Sequence, residues 1–246
     1  MRKYLYKQRP IFSLRPAARE IFLLTIEDRD IAASAFPGQF IHVAVEGKML
    51  RRPFSIFSKT GRRLEILFKV KGEGTRILSQ KKKGDILDLL GPLGRPFPLE
   101  GKRPLFLAGG IGMAPLHFLS RQFAGGVFVY GVRREEEKID LSSLKKRGFE
   151  IHIVSEEKDH KKITDLVVPL LKETDALYAA GPQKMLKKIA RIVLSRGRDG
   201  YLSWEERMGC GLGLCQTCVV KIGGNYIKVC DEGPVFRISE VDWNGC

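Results

Sequence analysis

Near residue 100 the hydrophobic period of this chain changes, and that change limits the folds open to it. Before it, short apolar runs rich in β-branched and aromatic residues (FLLTIE, QFIHVAV, FSIFS, LEILFKV, DILDLL) are broken by Pro37-Gly38, Gly47, Gly61 and Gly84. Strands at this spacing, punctuated by turn residues, predict a small antiparallel β-barrel over residues 1–98. The one helical candidate there is GTRILSQKKK, Gly74 to Lys83. After the change, buried strands (PLFLAG, GVFVYG, FEIHIV, DALYAAG) alternate with helical stretches: APLHFLSRQF, a charged run ending SSLKKRG, ITDLVVPLLK and PQKMLKKIARIVLSR. Such alternation predicts a parallel-sheet α/β domain over residues 99–199.

Residues 200–246 are rich in Gly and Cys and too few to build much core, so they need a staple. Cys210, Cys215, Cys218 and Cys230 supply one, spaced C-x4-C-x2-C-x11-C. The spacing matches the plant-type pattern of a 2Fe–2S cluster. Four thiolates also suit zinc. Structural zinc more often uses C-x2-C pairs, whereas here one gap is Gly211-Leu212-Gly213-Leu214. Its glycines let the backbone curl round a bulky inorganic core and aim N–H groups at sulfur. A 2Fe–2S cluster is the expectation and zinc the alternative. The terminal Cys246 has no evident partner and reads as a spare exposed thiol.

Apolar residues make up 43% of the chain, enough for a real core. No run of about 18 apolar residues exists, so no membrane span is expected. The N-terminus lacks an apolar signal region, which predicts a cytoplasmic location and reduced thiols. The net charge of +15 is spread along the chain in short runs such as Lys81-Lys82-Lys83, without interleaved aromatics. It reads as a solvated surface that attracts phosphate-bearing cofactors or an acidic partner, with no nucleic-acid partner.

Two regions have the chemistry of phosphate sites. In LFLAGGIGMAPLHFL a buried strand runs through Gly109-Gly110-Ile111-Gly112 into a helix, and Ala180-Gly181-Pro182 forms a second glycine turn after the last α/β strand. Glycine turns at the carboxyl ends of parallel strands share one ligand crevice. In the first segment, Arg51 and Arg52 suit bidentate contact with a pyrophosphate. Ser55 offers a hydroxyl, and Gly72, Gly74 and Thr75 open the helical stretch. Arg133 and Arg134 are either a 2′-phosphate site or solvated loop charges. His42, in a strand, and His117, on a helix, read as packing or cofactor contacts.

On these residues the chain resembles the ferredoxin–NADP reductase superfamily. That family pairs an FAD-binding barrel carrying R-x-[YF]-[ST] with an α/β domain carrying GG-x-G. Here these are Arg52-Pro53-Phe54-Ser55 and Gly109-Gly110-Ile111-Gly112. With PGQFIHV, GEGT, GPLG, GCGLGLCQTCVV and VCDEGPVF added, the order resembles the electron-transfer subunits of NAD-linked two-subunit dihydroorotate dehydrogenases. The resemblance implies three cofactors: FAD, a 2Fe–2S cluster and NAD as co-substrate. It assigns cofactor binding to Arg52, Pro53, Phe54, Ser55, Lys69, Gly72, Gly74 and Thr75 in the barrel. Gly110, Gly112 and Gly181 are assigned to the nucleotide crevice, and Cys210, Cys215, Cys218 and Cys230 to the cluster. It implies an FMN-containing dihydroorotate dehydrogenase catalytic subunit as partner, in a heterotetramer of two of each, acting in pyrimidine biosynthesis. Electrons from dihydroorotate would pass through the cluster and FAD to NAD+, with no acid–base catalytic residue in this chain. The same fold serves, as the alternative, a hydrogenase diaphorase subunit or an NADH-dependent ferredoxin:NADP oxidoreductase. Two positions depart from the pattern: Ala180 stands where relatives often carry Cys, and the loop SEEKDHKKITDL has no glycine.

Overall fold

The structure is a computed structural model that describes residues 5–243, so Cys246 lies outside the described residues. The first segment forms strands β1 (Leu5–Ala18), β2 (Ile21–Glu27), β3 (Phe40–Val43), β4 (Arg52–Thr60), β5 (Arg63–Lys69) and β6 (Ile86–Leu93). They close into an antiparallel barrel in the order β1-β2-β5-β4-β3-β6. Closure is possible because β1 serves two neighbours. Its first half, Leu5 to Pro10, pairs with β6 and its second half, from Ile11, with β2. The two prolines of β1 and its register shifts hide this strand in the sequence pattern.

Two helices interrupt the barrel, α1 (Arg29–Ser34) and α2 (Glu73–Ser79). Sequence periodicity misses α1, which is one and a half turns long; its signal is the cap, Asp28, whose Oδ1 accepts the Ile31 N–H at 2.8 Å. The helix read over Gly74 to Lys83 ends at Ser79, and the lysine run that follows is irregular until the turn at Lys83-Gly84.

The α/β region runs β7 (Pro104–Gly109), α3 (Met113–Ser120), β8 (Gly126–Val132), α4 (Ser142–Lys146), β9 (Phe149–Ser155), α5 (Glu156–Asp159), α6 (Ile163–Leu171), β10 (Ala176–Ala180) and α7 (Gln183–Leu194). The last segment adds β11 (Tyr201–Ser203), β12 (Val219–Ile222), β13 (Asn225–Lys228), α8 (Val229–Glu232) and β14 (Val235–Arg237). Six of these strands make one sheet in the order β14-β11-β10-β7-β8-β9. It is parallel except for β14, which runs antiparallel to β11. Two strands of this sheet thus come from the cysteine-rich segment, and β12 and β13 form a hairpin between them.

All eight residues of α3 are buried. MAPLHFLS is apolar nearly all round, and such a helix must be covered on every side. The sheet covers one side of it through β7 and β10, and barrel strand β4 covers another. The seam is tightened at His117, whose ring stacks on Phe57 of β4 with centroids 3.9 Å apart. Its Nδ1 lies 3.1 Å from the Phe57 carbonyl oxygen. Farther along, Arg19 of the β1–β2 turn pairs with Glu136 at 2.8 Å, and Lys69 at the end of β5 pairs with Glu137 at 2.7 Å.

Burial pushes the His117 imidazole down to about 4, although its bond to the Phe57 carbonyl pulls the other way. The folded chain therefore holds this ring neutral, while the unfolded chain protonates it near 6.5. Stability from this site is complete above that value and falls as pH drops toward 4, because the unfolded state binds the proton first. Urea unfolding at pH 7 and pH 4.5 should show a loss for the parent chain to which this site contributes up to about 3 kcal/mol. His117→Phe should shrink that loss, at the expense of some stability at pH 7.

Candidate functional site

Two clefts open along the seam. One, of about 240 Å³, is lined by Arg52, Pro53, Phe54 and Ser55 of β4, by Lys69 and Thr75, and from the far side by Ile111, Trp204 and Glu205. The other, of about 630 Å³, lies over the carboxyl ends of β7 to β10. It brings together Gly110, Gly181, Glu156 and the cations Arg133, Lys161, Lys162, Lys184 and Lys188. Lys69, Lys71, Ile111 and Glu205 line both, so the clefts are continuous.

In the first cleft Arg52 depends on Gly74. An ideal Cβ at residue 74 would fall 2.9 Å from Arg52 Nε, so the missing side chain leaves the gap in which the guanidinium lies. The guanidinium also donates to the Leu50 carbonyl at 2.6 Å. Arg51 is committed elsewhere, paired with Asp88 on the barrel wall at 2.6 Å. Thr75 Oγ1 accepts the N–H groups of Lys71 and Gly72, at 2.9 and 3.1 Å, and so closes the turn into α2. Gly72 itself is exposed and lines neither cleft. On the opposite wall the indole Nε1 of Trp204 is buried with no partner among the described residues. The Arg52 guanidinium, anchored through one nitrogen to the Leu50 carbonyl, lines the cleft and fits an anionic occupant such as a phosphate.

In the second cleft the glycines divide by role. Gly110 has φ 53° and nothing within 4 Å of its Cβ position, so bare backbone faces the crevice. Gly181 has φ 152° and lies against Met185. Gly112 faces away. A Cβ there would stand 2.2 Å from the Ala180 carbonyl oxygen, so this glycine lets the turn pack on the end of β10. Where the clefts meet, Glu205 reaches solvent but is crowded by protein; burial pushes its carboxyl up, against the pull of the Lys71 ammonium.

The cysteine loop lies between β11 and β12. All four described thiols are free. Gly211 and Gly213, at φ 73° and 77°, turn the backbone so that its N–H groups face sulfur. Leu212, Leu214 and Cys215 donate to Cys210 Sγ at 3.3 to 3.4 Å, and Gly213 donates to Cys230 Sγ at 3.2 Å. Cys210 donates to Cys215 Sγ at 3.3 Å, and Cys230 to Cys218 Sγ at 3.4 Å. These contacts arrange the thiols as two linked pairs, Cys210 with Cys215 and Cys218 with Cys230. Hydrogen bonding from Thr217 and from the Cys210 N–H holds the Cys215 thiol down to about 6, and burial pushes Cys230 up to about 12. Four thiols in two pairs, ringed by N–H donors, fit an iron–sulfur core.

His42 bridges the loop and the barrel. It is 0% exposed, and a Cβ on Gly211 would fall 2.6 Å from its Nδ1. Sequence reasoning missed Glu205, Trp204, Lys71 and Thr217. None stands in a motif, and only the cysteines flanking Thr217 hinted at its role.

A β-barrel joined to a parallel α/β sheet, with continuous clefts at the seam, defines a ferredoxin–NADP reductase fold. A ferredoxin NADP+ reductase from Neisseria gonorrhoeae shares it at a TM-score of 0.66 and 19% identity, over 78% of this chain and 92% of that one. The structure of an NADH-dependent reduced ferredoxin–NADP oxidoreductase superposes with a TM-score of 0.86 and 28% identity, over 96% of this chain and 90% of that one. Residues 205–242 match the iron–sulfur cluster binding domain of dihydroorotate dehydrogenase B. The dihydroorotate dehydrogenase B (NAD(+)) electron transfer subunit of Bacillus caldolyticus is 39% identical, over 94% of this chain and 96% of its own. That of Caldanaerobacter subterraneus subsp. tengcongensis is 35% identical over the same shares. The chain belongs to the family of dihydroorotate dehydrogenase B electron transfer subunits.

The two glycines of the GGIG turn should separate experimentally. Gly112→Ala should destabilise the fold by about 3 kcal/mol, because its Cβ meets fixed backbone. Gly110→Ala should cost about 1 kcal/mol for its positive φ and raise the KM for NADH several-fold. Thermal melts and NADH–dye kinetics on the two variants check this.

Proposed function

We propose that the chain carries electrons from dihydroorotate, oxidised in an FMN-bearing partner subunit, to NAD+. The observation that carries this is the continuity of the two clefts at Lys69, Lys71, Ile111 and Glu205, with the cysteine loop packed on the same barrel. FAD and a 2Fe–2S cluster together supply conversion between single-electron and hydride transfer.

The residues divide the labour. Arg52, seated against Gly74, would hold the flavin diphosphate, with Ser55, Lys69 and Thr75 along the same cleft. Pro53 and Phe54 shape its wall. Gly110 and Gly181 leave room for the nicotinamide nucleotide. Glu156 presents a carboxylate suited to ribose hydroxyls rather than to a 2′-phosphate, which favours NAD over NADP. Cys210, Cys215, Cys218 and Cys230 would ligate the cluster. The chain itself positions cofactors and excludes water. Assembly as two copies of each subunit and a cytoplasmic location complete the proposal. No helix among the described residues is long and apolar enough to cross a membrane.

The purified chain should oxidise NADH with an artificial acceptor and should not turn over dihydroorotate; dihydroorotate oxidation by the chain alone would refute the reading. Cys215→Ser should keep FAD and NADH–dye activity while transfer to the partner drops by at least about a hundredfold, the loss of a whole redox centre. Arg52→Ala should weaken FAD binding about tenfold or more, as expected for a charge-assisted contact. Fluorescence titration of released flavin measures it.

A further inference from the structure

His42 and Phe40 are two residues apart on β3 and so point to the same face of the strand. Phe40 lines the first cleft, and His42 lies against the cysteine loop. The imidazole is fully buried, and neither of its nitrogens completes a hydrogen bond among the described residues. An unpaired buried ring nitrogen is costly, and an apolar side chain would fill this strand position without that cost. What the ring touches is Gly211, where a Cβ would fall 2.6 Å from Nδ1 and 2.8 Å from Cε1. The backbone of Cys210 faces the same ring. Just beyond that peptide, three N–H groups converge on Cys210 Sγ. The turn that aims them begins at the Cys210–Gly211 peptide, where Gly211 holds φ 73°.

We infer that the His42 ring, seated against the Cys210–Gly211 peptide, donates an N–H to the Cys210 carbonyl when the loop closes round its cluster, and so locks the first turn of the cysteine loop. A strand of the flavin barrel thereby sets the hydrogen-bond environment of one cluster ligand. His42 is a positioning residue that acts through Cys210, and this rests on the reading of that cysteine as a ligand. Hydrogen bonds to cluster sulfurs raise the reduction potential, so loosening the loop lowers it.

The test is an EPR-monitored redox titration of the full chain carrying FAD and cluster, with iron release to a chelator followed in parallel. A parent chain with neither iron nor a cluster signal overturns the ligand reading and this inference together. With the cluster present, His42→Phe should shift its potential to more negative values and speed iron release by about tenfold, the worth of one hydrogen bond. His42→Asn, which keeps an N–H near the Nδ1 position, should restore most of both. Gly211→Ala should reproduce the negative shift from the loop side with the flavin spectrum unchanged. Wild-type potential and iron release in His42→Phe or in Gly211→Ala overturn the inference. So does a His42→Asn variant as impaired as His42→Phe, which would reduce the ring to packing. If His42→Phe does not fold, His42→Asn and Gly211→Ala decide the matter in the same terms.

Discussion

The working face of this molecule depends on one helix that is buried along its whole length. Because every residue of α3 is buried, barrel and sheet cannot choose their separation; both must close on it. Ile111 at its leading turn reaches both clefts, and His117 near its end stacks on the barrel. The spacing of the two clefts is thus fixed by core packing rather than by surface pairs. The ion pairs of Lys69 with Glu137 and of Arg19 with Glu136 add direction to a seam already set by apolar burial.

The cysteine segment solves a different problem. It has too little apolar surface to fold alone, and it borrows a core. Cys218, Cys230, Val229 and Ile222 join the same buried cluster as Phe40 and Leu93 of the barrel and Leu202 of the sheet. Its sulfurs are exposed unevenly, Cys215 to solvent and Cys218 and Cys230 inward. The thiols of Cys215 and Cys230 titrate in opposite directions for different reasons: hydrogen bonds from Thr217 and the Cys210 N–H hold the first down, and burial pushes the second up.

The barrel, the parallel sheet and the cysteine set were legible because each rests on a periodicity or a spacing. β1 was not, since prolines and bulges break its alternation, and α1 was too short to show a period. Within the sites, side-chain chemistry offered Arg51 and Arg52 together and only the R-x-[YF]-[ST] resemblance singled out Arg52; that Arg51 pairs with Asp88, far along the chain, is a contact between distant segments. It grouped Gly110 with Gly112, although one faces the crevice and the other a carbonyl. It read His42 and His117 alike, although one meets a cysteine loop and the other a phenylalanine ring. These distinctions belong to contacts between distant segments, which no local pattern encodes.

The strands β11 and β14 that flank the cysteine excursion are themselves paired, Leu202 beside Phe236 and Ser203 beside Val235. The excursion therefore leaves and re-enters the sheet at adjacent points, as an insertion does. Its two ends are fixed by that pairing, while its interior residues Cys218, Ile222, Val229 and Cys230 fill the core beneath it. The excursion is thus an attachment at the sheet's edge, and it carries its four cysteines outside the strand order of the sheet. Sheet and cysteine loop therefore share their anchor, so unpairing β11 from β14 would loosen both at once.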